Sequence, residues 1–184
     1  MKKYKNIFLI LSIVFTVIFC VWGTVRIVKY VQFSFNCEAY LKRAANANTI
    51  DLAKTELSKA VDYAEKNNLT EGVVSIFLKN PANDIGFWYS NLKSANEELN
   101  NLSPDATPLE KTNVLMKLRE SLTDTNDSGG TSVIFPQGLE IYPNNAMYFW
   151  WGAVSLIALC VFWILFLASI DYKKLNLKYS VHKN

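Results

Sequence analysis

Two long uninterrupted apolar segments dominate the pattern of hydrophobic and polar positions along the chain. The first covers Ile7–Val25 and the second Met147–Ile170, and neither contains a charged residue. As α-helices of 19 and 24 residues they would be roughly 28 and 36 Å long, against a membrane hydrocarbon core of about 30 Å. The polar stretch between them is too short to wrap both helices on every side. The pattern therefore predicts two transmembrane helices, at residues 7–27 and 147–170.

A cleaved signal peptide is the alternative for the first segment, because Lys2, Lys3 and Lys5 precede it as a basic region would. Its apolar stretch is longer than the core of a usual signal peptide. The sequence from Val21 to Arg26 also lacks the small residues that a cleavage site needs. We interpret the segment as an uncleaved anchor.

The stretch between the apolar segments is mainly helical in its periodicity and its capping residues. The Thr107–Glu110 sequence is the clearest signal, since a threonine followed three residues later by glutamate can form a capping box, with proline at the first helical position. Four helices are predicted here: one that continues the first apolar segment over Ser34–Ala47, one from a cap at Asn48 or Thr49 to about Lys66, one capped by Asp84, and one capped by Thr107.

A small β element is predicted beside these helices. Gly72–Leu78 is short, β-branched and bounded by glycine and by Asn-Pro, which is typical of a strand. After a loop at Asp124–Gly130, the stretch Thr131–Tyr142 suggests two short extended pieces that pair with each other or with residues 73–78. The predicted fold class is thus a membrane α protein, in which residues 28–146 form a helical bundle with a small β element.

Charge is distributed unevenly, and this predicts the topology. Residues 31–146 hold 15 of the 16 acidic residues but only 10 of the 19 basic ones, a net charge of −5. The two tails, residues 1–6 and 171–184, carry seven lysines against one aspartate. Positive charge favours the cytoplasmic side of a membrane. The tails are therefore expected in the cytoplasm and residues 28–146 outside it, in the plasma or inner membrane, as a hairpin of two spans. A protein with its positive charge in the tails is not expected to bind nucleic acid.

A search for catalytic, cofactor-binding and metal-ligating patterns finds none. The single histidine, His182, lies in the C-terminal tail, on the opposite side of the membrane from the predicted outer domain. The three cysteines, Cys20, Cys37 and Cys160, lack the spacing of a metal or redox motif, and no phosphate-binding glycine motif occurs. We expect no enzymatic activity, no cofactor and no metal.

Small side chains recur every four residues along the first apolar segment, at Ser12, Thr16, Cys20 and Thr24. Such a row lets another helix approach closely, and its hydroxyl groups can bond across the contact. The alternative is that the hydroxyls bond carbonyls of their own helix. The row is a candidate helix-packing face, and Gly152, Ser155 and Ala158 of the second segment are its candidate mates.

The densest aromatic cluster outside the apolar segments runs from Asp84 to Tyr89. Asp84, Phe87, Trp88 and Tyr89 are a candidate surface for a partner or a ligand, because tryptophan and tyrosine are enriched at binding hot spots. The alternative is that these rings form the core of a small bundle. Cys37 is the only thiol of the predicted outer domain, and is expected to be either a buried free thiol or a bridge between two copies.

These features favour a non-enzymatic accessory, scaffold or assembly subunit. Its outer domain would bind a protein partner or a second copy of the chain, and its helices would contact the lipid bilayer. One alternative is a small-molecule sensor that signals through a partner subunit, because only 14 residues follow Ile170. Another is a phage- or toxin-type membrane protein that acts by oligomerising in the bilayer.

Overall fold

The computed structural model describes residues 4–125 and 130–181 of the chain. Two compact units are present. One consists of the residues up to Ile27 together with those from Ala146 onward, and the other is Val28–Asn145. Parts of the predicted tails, residues 1–3 and 182–184 with His182, lie outside the described residues, as do residues 126–129 of the predicted loop.

The first helix, α1, covers Lys5–Phe33 and continues through a π-helical turn, Ser34–Glu38, into α2 at Ala39–Ala45. The prediction of a helix continuing from the first apolar segment is confirmed, although the wider turn interrupts it. Phe33, Cys37 and Leu41 follow one another at four-residue spacing, and each is almost fully buried. The π-helical turn thus keeps one side of the helix directed at the core.

Two of the next helices begin at the caps predicted for them. Helix α3 covers Ile50–Lys66, and the Leu52 amide donates to the Thr49 hydroxyl at 3.3 Å. Helix α4 covers Ile85–Asn101, and the Phe87 amide donates to the Asp84 carboxylate at 3.0 Å. Each cap satisfies an amide that has no partner inside the helix.

Helix α5, Pro108–Leu122, begins at the predicted capping box. The Glu110 amide donates to the Thr107 hydroxyl at 3.2 Å, and the Thr107 amide donates to the Glu110 carboxylate at 2.7 Å. These hydrogen bonds lower the pKa of Glu110 because they favour its charged form.

The prediction of a strand at Gly72–Leu78 is wrong. Only Val73 of this stretch is paired, in an isolated bridge with Asp84. The chain then turns, and the Leu78 amide donates to the Ser75 hydroxyl at 3.2 Å. β-Branched residues favour a strand only where a neighbouring strand can pair with them. This stretch instead has to return the chain to the start of α4.

The observed sheet also differs from the prediction for Thr131–Tyr142. Strand β2, Thr131–Val133, pairs antiparallel with β1, Thr123–Thr125, which directly follows α5. The extended pieces therefore pair neither with each other nor with residues 73–78. Gly138 adopts a left-handed conformation with φ of 92° and leads into a 3₁₀ turn at Leu139–Ile141. A second extended piece after the glycine is excluded by that turn.

The core of the Val28–Asn145 unit lies between α2, α3, α4 and α5. Several of its fully buried positions are alanines, which allow helix backbones to approach closely. Larger side chains fill the remaining space, among them Leu41, Leu57, Ile85 and Leu92. The predicted helical bundle with a small β element is what this unit contains.

The last helix, α6, covers Asn145–Val181. The continuous helix from Lys5 to Ala45 and the first part of α6, Asn145–Ile170, are each long and apolar enough to cross a membrane. Only 6% and 11% of the residues in their most apolar stretches are buried within the chain. A core helix of a soluble protein would be mostly buried.

Thr107→Ala should lower the free energy of unfolding by about 0.5–2 kcal/mol, because it removes the cap of α5. Thr112→Ala is the matched control, since Thr112 is exposed on the same helix and its hydroxyl donates only to the Pro108 carbonyl. Urea unfolding of the full chain in detergent, with amide exchange at residues 109–112, measures both variants. Equal effects of the two substitutions would contradict the assignment of the cap.

The same capping box predicts a pH dependence. Because the pKa of Glu110 is lowered in the folded chain, its stabilising effect is complete above the ordinary glutamate pKa of 4.5 and is lost as the pH falls through the folded value. Glu110→Gln should flatten this part of the stability profile.

Candidate functional site

The two long apolar helices contact each other through aromatic side chains. Phe15 and Phe162 stack with their ring centroids 5.4 Å apart. The Trp22 indole donates to the Tyr148 carbonyl at 2.7 Å and lies directly against Gly152. A Cβ atom at Gly152 would come within 2.5 Å of the Trp22 ring. The absence of a side chain at this glycine therefore creates the space that the indole occupies.

The predicted row of small residues does not lie on one side of α1. Ser12 is fully buried and Thr16 half-buried, and the Trp163 indole donates to the Thr16 hydroxyl at 3.2 Å. Cys20 and Thr24 are exposed. Residues four apart are separated by 400° on a helix of 3.6 residues per turn, so the row turns by about 40° at each step.

The hydroxyl groups of this row also bond to their own helix. Ser12 donates to the Leu9 carbonyl, and Thr16 and Thr24 donate to carbonyls four residues earlier. Of the candidate mates on α6, Gly152 and Ser155 are buried and Ala158 is half-buried. The role of the row as a helix-packing face stays a prediction.

The aromatic segment at the start of α4 has two different environments. Trp88 is buried, and its indole donates to the Ile134 carbonyl at 3.1 Å. The Tyr89 hydroxyl donates to the Glu65 carboxylate at 2.6 Å, and this hydrogen bond raises the pKa of Tyr89 to about 12. Phe87 is 66% exposed. Asp84 caps the helix, so Phe87 is the member of the predicted surface that is free to meet another molecule.

A further exposed apolar segment lies in the loop that precedes α4, and sequence reasoning missed it. The loop residues Ile76, Phe77 and Leu78 are all exposed, Leu78 to 78%. The bridge between Val73 and Asp84 attaches this loop to the start of α4. We call Ile76, Phe77, Leu78 and Phe87 the apolar patch. Its signal in the sequence is three consecutive large apolar residues, which were interpreted only as part of a strand.

A buried carboxylate connects α2 to α3. Glu56 is 4% exposed, and its two oxygens lie 3.0 Å from Arg43 Nε and 3.0 Å from Lys59 Nζ. The Lys59 ammonium also lies over the Tyr40 ring, 5.0 Å from its centroid. The charge of Glu56 is thus matched by two cations, as a buried carboxylate requires. Its role is to hold two helices together.

Cys37 lies in the π-helical turn and is fully buried. Burial, and secondarily the charge of Glu38, raises the pKa of the thiol to about 12. A thiol with this pKa stays protonated at neutral pH and reacts slowly. Of the two expectations for Cys37, the geometry matches the buried free thiol, and a bridge to a second copy would require the core to open.

The Val28–Asn145 unit has an open cleft between the start of α3, the end of α4 and the start of α5, with a volume of about 700 Å³. Lys54, Lys111 and Asp51 line it, over an apolar floor that includes Leu99 and Leu115. The volume lies within the usual range of ligand pockets. Among the described residues, no group of three or more histidine, cysteine or acidic side chains could hold a metal ion.

Gly152→Ala should destabilise the contact between the apolar helices by about 1–3 kcal/mol, because the added methyl displaces the Trp22 ring from a packed position. Gly23→Ala is the matched control, since nothing lies within 4 Å of a Cβ atom there. Thermal unfolding in detergent and the emission wavelength of tryptophan measure the effect. A Gly23 variant as unstable as the Gly152 variant would contradict this contact.

Comparisons of the chain with protein-family models, with curated proteins and with solved structures give no match. The function therefore has to be argued from the geometry of the two units and from the distribution of charge.

Proposed function

We propose that the chain is an integral membrane protein that serves as a non-enzymatic accessory, scaffold or assembly subunit. Residues 7–27 and 147–170 cross the plasma or inner membrane. The segment 28–146 lies outside the cytoplasm and binds a protein partner. The tails, residues 1–6 and 171–184, lie in the cytoplasm.

Membrane insertion is supported by the length, apolarity and exposure of α1 and of the first part of α6. A solvent-exposed apolar surface of this size is unfavourable in water, at roughly 25 cal/mol per Å². Lipid removes that cost. The contact between the two helices, through Trp22 and Gly152, is the kind of close packing that helices use inside a bilayer.

The orientation is supported by charge. The tails hold seven lysines and one aspartate, whereas residues 31–146 have a net charge of −5. In a hairpin of two transmembrane helices both tails lie on the same side of the membrane, and the positive-inside rule favours the cytoplasmic side for each of them. Arg26 and Lys29 follow the first apolar segment on the outer side, but their long side chains can extend to the interface.

Partner binding is supported above all by the apolar patch. The Val28–Asn145 unit closes its core without Phe87 and Leu78, which are 66% and 78% exposed. Ile76, Phe77 and Leu78 are consecutive and exposed, and contiguous exposed apolar surface on a folded unit marks an interaction site. Because the Phe87 amide is held by the Asp84 cap in the first turn of a regular helix, its backbone position is fixed before a partner binds, which reduces the entropy lost on binding.

A binding role is also consistent with how the acidic residues are used. Glu56 joins two helices, Asp84 and Glu110 cap helices, and Glu65 accepts the Tyr89 hydroxyl. Each of these carboxylates has a structural task.

A small-molecule sensor is the second candidate, and the 700 Å³ cleft is the observation that favours it. A ligand bound between α3, α4 and α5 could shift these helices relative to one another. The signal would then pass to another subunit. An oligomerising phage- or toxin-type protein is a third candidate, whose hallmark would be membrane leakage caused by the chain alone.

Protease added to intact cells or spheroplasts should cut the chain within residues 124–130 and spare an epitope tag at either terminus. The reason is that the loop lies outside the cytoplasm and both tails lie inside. Immunoblots for the two tags before and after permeabilisation measure this. A tag removed from intact cells before the loop is cut would overturn the proposed topology.

Phe87→Ser should weaken the binding of the protein partner by about 2 kcal/mol, or roughly thirtyfold, because it removes an exposed aromatic anchor. Leu109→Ser is the matched control, since Leu109 is 70% exposed on α5 and lies outside the apolar patch. Quantitative mass spectrometry of proteins crosslinked to each full-length variant in membranes measures partner recovery. Partners recovered equally with both variants would exclude the patch as the binding surface.

A further inference from the structure

The open cleft of the Val28–Asn145 unit lies where the ends of three helices meet. The start of α3, the end of α4 and the start of α5 line it, and its volume is about 700 Å³. A water molecule in the liquid takes up only about 30 Å³, so the cleft has room for an organic molecule. All of its lining residues belong to one compact unit.

The charge of this cleft is opposite in sign to that of the unit around it. Its charged lining residues are Lys54 of α3, Lys111 of α5 and Asp51 of α3, two positive charges against one negative. Residues 31–146 as a whole carry a net charge of −5. Two cations from different helices therefore line one cavity in an otherwise acidic unit, and they favour a ligand with negative charge.

Both lysine ammonium groups have hydrogen-bond donors left for a ligand. Lys54 is exposed, and no ion pair engages it within the described part of the chain. The Lys111 ammonium donates to the Pro104 carbonyl at 3.4 Å, which is longer than a strong hydrogen bond. Because an ammonium group has three donors, at least two of them remain on each lysine.

Two hydroxyl groups of the cleft already accept a hydrogen bond from the backbone. The Leu52 amide donates to the Thr49 hydroxyl, and the Asp105 amide donates to the Ser103 hydroxyl, each at 3.3 Å. A hydroxyl group that accepts one hydrogen bond still has its own proton to donate. The cleft thus offers donors from two hydroxyls and two lysines, which suits a ligand that accepts hydrogen bonds.

The floor of the cleft is apolar. Leu99 is 2% exposed and Leu115 is half-buried, and Leu102, Pro104 and Pro108 also line the cavity. Covering this surface with an apolar group is favourable, because it removes apolar surface from water. An inorganic anion would leave the floor exposed, so the lining matches an anion that is attached to an apolar body.

We propose that this cleft binds a small organic carboxylate, with the carboxylate between Lys54 and Lys111 and an apolar body over Leu99 and Leu115. A carboxylate carries a single negative charge, which matches the net charge of the cleft, whereas a phosphate monoester carries nearly two at neutral pH. Such a ligand goes beyond the accessory role proposed above. It also supplies the chemical class that the sensor role requires, and its residues are different from those of the apolar patch.

A photoreactive carboxylate tests this site in the full chain, purified in lipid nanodiscs. The probe is 4-benzoylbenzoate, whose benzophenone group crosslinks to nearby C–H groups on illumination. The matched control probe is 4-benzoylbenzamide, which has nearly the same shape but no charge. Mass spectrometry of the digested chain locates the crosslinks. The carboxylate should label residues 48–54 and 99–115, and should reach half-saturation at a several-fold lower concentration than the amide.

The double variant Lys54→Gln with Lys111→Gln should raise the half-saturating concentration of the carboxylate about tenfold, because each exposed ion pair contributes up to about fivefold. Labelling by the amide should not change. Lys93→Gln is the matched control, since Lys93 is exposed on α4 and lies outside the cleft. Lys54→Arg with Lys111→Arg keeps both charges and should retain labelling, which separates the loss of charge from a loss of folding.

Labelling within the cleft that is weakened by the double glutamine variant, but not by Lys93→Gln, supports the site. Equal labelling by the carboxylate and the amide, or crosslinks confined to residues outside the cleft, overturns it. Phenyl phosphate that competes better than benzoate overturns the assignment of a carboxylate. Phe87→Ser should leave labelling unchanged, so the failure of this site and the failure of partner binding at the apolar patch are measured separately.

Discussion

The continuous helix that begins at Lys5 and passes through the π-helical turn to Ala45 contributes to both compact units. In one unit Trp22 lies against Gly152 of α6, and in the other Phe33, Cys37 and Leu41 enter the core of the Val28–Asn145 unit. Helices α3 and α5 and strand β2 pack against α2, and α4 packs against α3 and α5. The last part of this helix therefore organises the Val28–Asn145 unit.

The packing of the core leaves some surfaces of the chain available for contact with other molecules. The core of the Val28–Asn145 unit is complete without the apolar patch. The buried carboxylate of Glu56 is engaged within the unit, between two cations. What the described residues offer to other molecules thus includes exposed apolar side chains and an open cleft lined by both polar and apolar residues.

Local signals were read correctly from the sequence. Helices α3, α4 and α5 begin at the predicted caps Thr49, Asp84 and Thr107. Each cap side chain accepts a hydrogen bond from an amide only three residues later, so the signal is local in sequence. The two long apolar helices follow equally directly from composition and length. In each case the interaction is complete within a few residues of the chain.

The sequence by itself determined the helices, their starts and the separation of an acidic middle from basic ends. Only the tertiary structure decided which apolar residues are covered. Gly72–Leu78 has strand propensity but no neighbouring strand to pair with, so its side chains form part of the apolar patch. Trp88 and Phe87 are adjacent, yet one is buried and the other exposed, because helical geometry points them in different directions. Burial depends on partners distant in sequence, and residue type alone does not specify them.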